Sequence, residues 1–212
     1  EVICRNRQLQ VLLLNYNQLS ELPTHFSDLT NLKILCLDNN LLTSLPAGFG
    51  QLASLQTLKL NYNKLTALPT DFSLLKNLES LEVSGNHIAG LPDHFEELTR
   101  LRQLHLTSNP IGSLPENFGQ LMNLEMLTLI DCQLTKLPES FGQLGRLRWL
   151  EAGVNQLANL PESFGRLQNL RYLDMSRNRL DALPMSFGQL NRLQTLIIHS
   201  NQITALPAGL GR

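Results

Sequence analysis

A repeat of 23 residues runs through almost the whole chain and limits what it can fold into more than any other feature. The period is marked by one polar position, where asparagine recurs with a single cysteine in its place. These residues are Asn17, Asn40, Asn63, Asn86, Asn109, Cys132, Asn155, Asn178 and Asn201. Self-similarity at such a period indicates one supersecondary unit that buries its apolar face by stacking on its neighbours. One elongated domain is therefore expected.

Leucine, proline and phenylalanine also hold fixed places within the unit. The segment "LKILCLDNNLLTSLPAGFGQLAS", residues 32–54, is one complete unit that begins at its first leucine. All eight phenylalanines occupy one position, and nine of the ten prolines occupy another, with Pro110 as the exception. Units begin at residues 9, 32, 55, 78, 101, 124, 147, 170 and 193. Residues 1–8 are left as an irregular N-terminal segment.

The pattern L-x-x-L-x-L-x-x-N/C-x-L resembles the leucine-rich repeat over residues 9–212. The 23-residue unit with "LP-x-x-F-G-x-L" is similar to the intracellular repeats of plant Ras-group-related proteins, of the LAP scaffolds Scribble, Erbin and Densin, and of some bacterial effectors. This resemblance implies an α/β solenoid, a horseshoe of about nine repeats with a concave parallel β-sheet and short helical or 3₁₀ turns on its convex side. It also implies a scaffold that receives protein partners on the concave face, without catalytic residues.

Alternation along each strand predicts which side chains are buried. Positions 3 to 7 of the unit are predicted to form a short strand, with the leucines at positions 4 and 6 in the core and positions 3, 5 and 7 facing outward. The asparagine at position 9 is predicted to hydrogen-bond buried backbone groups. Cys132 offers only a weak donor there, so the sixth repeat is a predicted weak point. The phenylalanines are predicted to stack as a second apolar spine.

The outward positions of the sixth to eighth repeats hold residues that the repeat does not require. Trp149 and Tyr172 share position 3 of adjacent strands, and Glu151 and Asp174 share position 5. Like charges side by side on a sheet repel, so a cationic partner group would relieve them, and aromatic side chains are enriched in binding hot spots. We predict a patch that binds a protein or peptide through a lysine or arginine. Its residues are Met126, Trp149, Glu151, Tyr172, Asp174 and Arg177.

Two other interpretations of this patch remain open. Arg148 and Arg171, at position 2, would neutralise the two carboxylates from within the protein. Alternatively, the rings only cover neighbouring strands of a solvated face.

Catalytic and metal-binding arrangements are not expected. Two carboxylates on adjacent strands approach the spacing of a glycosidase pair, but an open sheet offers no dry pocket to raise the pKa of the acid. His105 and Glu82 are predicted to form a solvated hydrogen-bonded pair, which falls short of the three or four ligands of a metal site. No cofactor is therefore predicted. The alternative to an interaction module is the substrate-recognition part of a larger enzyme, such as a ubiquitin ligase effector or a kinase.

Charge and hydropathy bear on the partner. The net charge is −1 with both signs scattered, so no basic stripe indicates nucleic acid. No apolar run approaches the ~18 residues of a membrane span, and membrane insertion is not expected.

Cysteine usage bears on the compartment. Cys36 and Cys132 lie four repeats apart, roughly 19 Å at the usual strand spacing, which is too far for a disulfide. An odd cysteine count and the absence of N-x-S/T sequons favour a cytoplasmic protein. A secreted bacterial effector acting in a host cytosol and an extracellular receptor fragment are the alternatives. Leu210 stands where the ninth repeat would have phenylalanine, and neither end supplies the polar cap that a solenoid needs, so the natural protein is expected to continue past at least the C-terminus.

Overall fold

The computed structural model describes residues 2–207 and 209. Within these residues, nine short parallel strands form one open sheet in sequence order, and a 3₁₀ turn precedes each of them. Every strand pairs with the next at a shift of one repeat, as when Trp149 pairs with Tyr172 and Glu151 with Asp174. The predicted α/β solenoid is therefore confirmed.

The elements recur at the same place in each repeat. The strands are β1 (Val11–Leu13), β2 (Ile34–Cys36), β3 (Thr57–Lys59), β4 (Ser80–Glu82), β5 (Gln103–His105), β6 (Met126–Thr128), β7 (Trp149–Glu151), β8 (Tyr172–Asp174) and β9 (Thr195–Ile197). The turns are η1 (Val2–Arg5), η2 (Thr24–Asp28), η3 (Phe49–Gln51), η4 (Phe72–Leu74), η5 (Phe95–Glu97), η6 (Phe118–Gln120), η7 (Glu139–Gln143), η8 (Glu162–Arg166) and η9 (Met185–Gln189).

The strands are shorter than the sequence predicted, because they cover positions 3 to 5 of the unit rather than 3 to 7. The backbone turns at position 8, where residues such as Val154 and Arg177 have left-handed φ angles of 56° and 54°. Hydrogen bonding to the next repeat nevertheless continues past the strand, since the Val154 N–H donates to the Ser176 carbonyl at 2.9 Å. The repeats thus stay joined along the whole sheet side.

The convex side is held by the phenylalanine spine. Phe118, Phe141, Phe164 and Phe187 are buried. Their rings stack in series with centroids 6.1–6.2 Å apart and planes within 8° of parallel. The prediction of a second apolar spine is confirmed, and the spine fixes each turn against the next.

The asparagine at position 9 ties each repeat to the preceding one. Asn86 is typical: its Oδ1 accepts the Leu65 N–H at 3.0 Å, while its Nδ2 donates to the carbonyls of Val83 at 2.8 Å and Leu60 at 3.0 Å. This arrangement satisfies buried backbone groups that water cannot reach. It confirms the role predicted from the sequence.

Cys132 alters this arrangement at one point. Its buried Sγ lies 3.3 Å from the Leu106 carbonyl but accepts no N–H from the fifth repeat. The Ile111 N–H, which would donate to an asparagine, donates instead to the Asn109 carbonyl at 2.8 Å in a tight turn at Pro110. Burial raises the pKa of the Cys132 thiol to about 12, so this thiol remains protonated at neutral pH.

The N-terminal segment continues the stack. η1 packs on η2, Cys4 is buried, and Asn31 donates to the Arg7 carbonyl at 2.8 Å. Asn77 makes the corresponding bond to Ala53 at 2.7 Å, so residues 2–8 occupy the place of the end of a repeat. Glu1 and the C-terminal part of the ninth repeat, including Leu210, lie outside the described residues.

Close contact between successive turns predicts a strong effect of one glycine substitution. A Cβ added at Gly142 would lie 2.1 Å from the Ser163 carbonyl oxygen, whereas a Cβ at Gly90 would have no atom within 4 Å. Gly142→Ala must push η7 and η8 apart and is expected to destabilise the protein by roughly 1–3 kcal/mol. Gly90→Ala is the matched control and is expected to be neutral. Urea denaturation would measure both, and equal midpoints would show that the turns separate without cost.

Candidate functional site

Outward side chains form rows across the sheet, because each strand pairs with the next at a shift of one repeat. The row at position 3 consists of Val11, Ile34, Thr57, Ser80, Gln103, Met126, Trp149, Tyr172 and Thr195. The row at position 5 consists of Leu13, Cys36, Lys59, Glu82, His105, Thr128, Glu151, Asp174 and Ile197. Side chains that are 23 residues apart in sequence are thus neighbours on one face.

Trp149 and Tyr172 form a stacked aromatic pair on this face. Their ring centroids are 3.8 Å apart, their planes are within 2° of parallel, and both residues are partly exposed. Met126 pairs with Trp149 on the adjoining strand, and exposed Thr195 pairs with Tyr172 on the other side. The structure therefore brings three of the six predicted patch residues into one row.

Glu151 and Asp174 lie side by side in the next row. Asp174 Oδ1 accepts the Ser176 backbone N–H at 2.8 Å. Across residues 2–207 and 209, neither carboxylate forms an ion pair. Partial burial, followed by the charges of Asp174 and Glu151, raises the pKa of the Tyr172 phenol. The stacked pair of Trp149 and Tyr172 therefore lies beside two negatively charged carboxylates.

The arginines at position 2 do not neutralise these carboxylates in the described part of the chain. Arg148 Nη1 lies 3.5 Å from Glu125 Oε2, and Arg102 Nη1 lies 3.6 Å from the other Glu125 oxygen. Arg148 therefore extends toward the sixth repeat and away from Asp174. Arg171 forms no ion pair among the described residues.

Arg177 stands apart from the rest of the predicted patch. It lies at position 8 of its repeat, on the left-handed turn that follows the strand, and it is exposed. Its guanidinium makes no ion pair with either carboxylate within the described residues. Val154 occupies the same position one repeat earlier and is 41% exposed, so the two side chains border the patch beyond the strand ends.

The N-terminal half of the same face carries a polar network that the sequence analysis missed. Lys59 Nζ lies 2.9 Å from Glu82 Oε1, and Asn61 Nδ2 donates to Glu82 Oε2 at 2.8 Å. Asp38 Oδ1 in turn accepts the Asn61 backbone N–H at 2.9 Å. Burial alone would raise the pKa of Glu82, but the hydrogen bonds from Lys59 and Asn61 hold it below its usual value. Reading the residues at position 7 across the repeats, as well as those at positions 3 and 5, would have found this network.

The predicted His105–Glu82 hydrogen bond is wrong. His105 Nδ1 lies 3.1 Å from Thr128 Oγ1 on the following strand, while Glu82 is occupied by Lys59 and Asn61. Burial lowers the pKa of His105 against the opposing charges of Glu82 and Glu151. His105 is therefore a neutral side chain at pH 7 that bridges the two halves of the face.

Exposed apolar side chains in the first and third repeats were also missed. Leu13 is 62% exposed, and Tyr16 and Tyr62 are 80% and 64% exposed. They occupy positions 5 and 8, which the repeat leaves free to vary. They are further candidate contact residues.

No group of three or more His, Cys, Asp and Glu side chains in the described part of the chain is placed to hold a metal ion. The described residues also include no helix with the length and apolar character required to cross a bilayer.

Comparison with family models identifies the repeat. The model described as leucine rich repeat matches residues 7–65, 30–88, 54–111 and 160–203. The model described as leucine-rich repeat region matches residues 91–170. Together they cover the described sheet from β1 to β9. Comparison with curated protein sequences gives no match.

Several solved structures share the fold. A leucine-rich-repeat protein of Leptospira interrogans is 34% identical with a TM-score of 0.79, over 97% of this chain and 58% of that chain. A structure of PEPR1–AtPEP1 is 30% identical with a TM-score of 0.87, over 98% of this chain and 31% of that one. An internalin of Listeria monocytogenes, 22% identical with a TM-score of 0.83 over 99% of this chain and 61% of that one, shows the fold alone. This chain spans less than two thirds of each of them.

Proposed function

The chain belongs to the leucine-rich-repeat family, and from this we propose that it is a protein-protein interaction module without catalytic activity, which receives a protein or peptide on its concave face. The similarity of this chain to the solved structure of PEPR1–AtPEP1 supports the proposal. We further propose that the natural setting is cytoplasmic signalling or scaffolding, because the three cysteines are free thiols. Nucleic acid is not a proposed partner.

The observation that carries this proposal is the stacked pair of Trp149 and Tyr172. Large aromatic side chains bring much contact area at little entropic cost, and they dominate binding energy where they are present in interfaces. Here the two rings are held by each other and by the sheet, so little further ordering is required on binding. We propose the patch of Met126, Trp149, Glu151, Tyr172, Asp174 and Arg177 as the contact area.

Partner capture with a matched pair of variants tests the proposal. The chain, Trp149→Ala/Tyr172→Ala and the control Ser80→Ala/Gln103→Ala, which alters the same row on β4 and β5, would each be used to retain proteins from a lysate of the source cells. Proteins retained by the chain and the control are expected to be lost from the aromatic variant. Circular dichroism would confirm that all three are folded. Identical protein lists for both variants would contradict binding at this patch and direct attention to Leu13, Tyr16 and Tyr62.

A further inference from the structure

Two carboxylates occupy equivalent places on the outward face but have different surroundings. Glu82 on β4 and Asp174 on β8 both lie at position 5 of their repeats. In each case the preceding strand and the turn after it supply the neighbours at positions 5 and 7. For Glu82 these neighbours are Lys59 and Asn61, at 2.9 Å and 2.8 Å from its two oxygens. The scaffold thus shows where an ammonium group lies when it satisfies a carboxylate at this position.

At Asp174 both supporting groups are missing. The equivalent of Lys59 is Glu151, which adds a second negative charge, and the equivalent of Asn61 is Gly153, which has no side chain. A Cβ on Gly153 would lie 3.5 Å from Asp174 Oδ1, so the glycine borders the carboxylate directly. Among the described residues, no cationic or amide side chain stands beside Asp174 at the positions that Lys59 and Asn61 hold beside Glu82.

The side chains at position 3, in the row beside the carboxylates, also differ between the two halves of the face. Next to Lys59 and Glu82, position 3 holds the small side chains of Thr57 and Ser80. Next to Glu151 and Asp174 it holds the stacked rings of Trp149 and Tyr172. Rings of this size form an apolar wall against which the methylene stem of a long cationic side chain packs.

We propose that Trp149, Glu151, Gly153, Tyr172 and Asp174 form a subsite for one lysine or arginine side chain of a polypeptide partner. The ammonium or guanidinium group lies between Glu151 and Asp174 above Gly153, in the place that Lys59 fills for Glu82, and the aliphatic stem packs on the rings. The cation subsite rests on the proposed function and adds the chemistry of the partner to it. Charge complementarity carries the choice of occupant, because two like charges without an ion-pair partner are unfavourable together until a cation joins them.

The position of Trp149 makes the cation subsite directly measurable. It is the only tryptophan in the chain, so its fluorescence reports on this place alone. The probes are three blocked tripeptides with arginine, lysine or citrulline between two alanines, citrulline being the uncharged counterpart of arginine. A saturable change is expected with arginine and lysine and is expected to weaken in high salt. The ratio of the arginine to the lysine response identifies the preferred cation.

Three variants complete the test. Glu151→Gln/Asp174→Asn is expected to weaken arginine binding roughly ten- to hundredfold, because hydrogen bonds to charged groups are lost. Glu151→Lys would place an ammonium on Asp174 as Lys59 is placed on Glu82, and it is expected to abolish binding. Lys59→Gln is the control and is expected to bind as the unaltered chain does. An equal response to citrulline, or unchanged binding by Glu151→Gln/Asp174→Asn, would overturn the cation subsite.

The same carboxylate variant separates this proposal from the proposed function when it is included in the partner capture. Loss of partners by Trp149→Ala/Tyr172→Ala but not by Glu151→Gln/Asp174→Asn would refute the cation subsite and leave the interaction module standing. Loss by both variants supports the two proposals together. Retention by both would refute capture of these protein partners at the patch, and the peptide titration alone would then support or overturn the cation subsite.

Discussion

Asn155→Ala is expected to destabilise the protein by roughly 3–5 kcal/mol, because several buried backbone groups lose their partners at about 1–3 kcal/mol each. Asn155 Oδ1 accepts two N–H groups, from Leu134 at 2.9 Å and from Cys132 at 3.0 Å. Its Nδ2 donates to the carbonyls of Leu129 at 2.7 Å and Ala152 at 3.0 Å. Among the described residues, no other asparagine at position 9 accepts more than a single N–H, so the second accepted bond is particular to Asn155. Urea unfolding followed by Trp149 fluorescence would report the loss in the affected repeat itself.

The matched control for this substitution is Asn17→Ala. Asn17 occupies the same position in the first repeat, where it is exposed and, among the described residues, donates only to the carbonyls of Leu14 and Asn15 in its own repeat. Its replacement is expected to cost about 0.5 kcal/mol or less, as at other exposed positions. If the two variants unfolded at the same urea concentration, the asparagine bonds between repeats would not hold the solenoid together.

Phe141→Ala is expected to cost about 3–5 kcal/mol, the usual range for removing a buried phenylalanine ring. Phe141 is fully buried and stacks on Phe118 at 6.2 Å and on Phe164 at 6.1 Å. The cavity would open between the rings of Phe118 and Phe164. Because each repeat contacts only its neighbours, the loss would act on both interfaces of the seventh turn.

Met185→Ala is the control for the spine. Met185 begins η9 on the same convex side and is 74% exposed, so its truncation is expected to change the stability by at most about 0.5 kcal/mol. Thermal unfolding of both variants followed by circular dichroism would compare them. A Phe141→Ala variant that melts with the unaltered chain would mean that the spine fills space without contributing stability.

Much of the fold could be predicted from the sequence because the repeat constrains it. The spacing of 23 residues fixes the register, so that Trp149 and Tyr172 were expected on adjacent strands, where the structure places them. The strand length was not predicted correctly. Each strand ends at position 5, before the left-handed turn at position 8, where the residues include Val154 and Arg177, whose types give no signal for such a turn.

The candidate site was predictable only in part. Periodicity identifies which residues share a row, but the direction that a long side chain takes depends on its neighbours. Arg148 forms an ion pair with Glu125 rather than with Asp174, and Glu82 forms an ion pair with Lys59 rather than a hydrogen bond with His105. These outcomes depend on competition among several charged groups within one Debye length, which residue spacing alone does not resolve.

The constant register of the sheet sets fixed distances between side chains on its outward face. Each repeat adds one strand, about 4.8 Å, so the number of intervening repeats sets the distance between any two side chains in one row. Lys59 and Glu151 stand four repeats apart, roughly 19 Å, which an extended peptide of about six residues would span. Excising the unit at residues 101–123 would shorten this distance by one strand spacing, about 4.8 Å, while keeping every remaining side chain in its row. Gain or loss of whole repeats would therefore change the length of the partner segment that such a protein binds, while the residues that contact the partner stay the same.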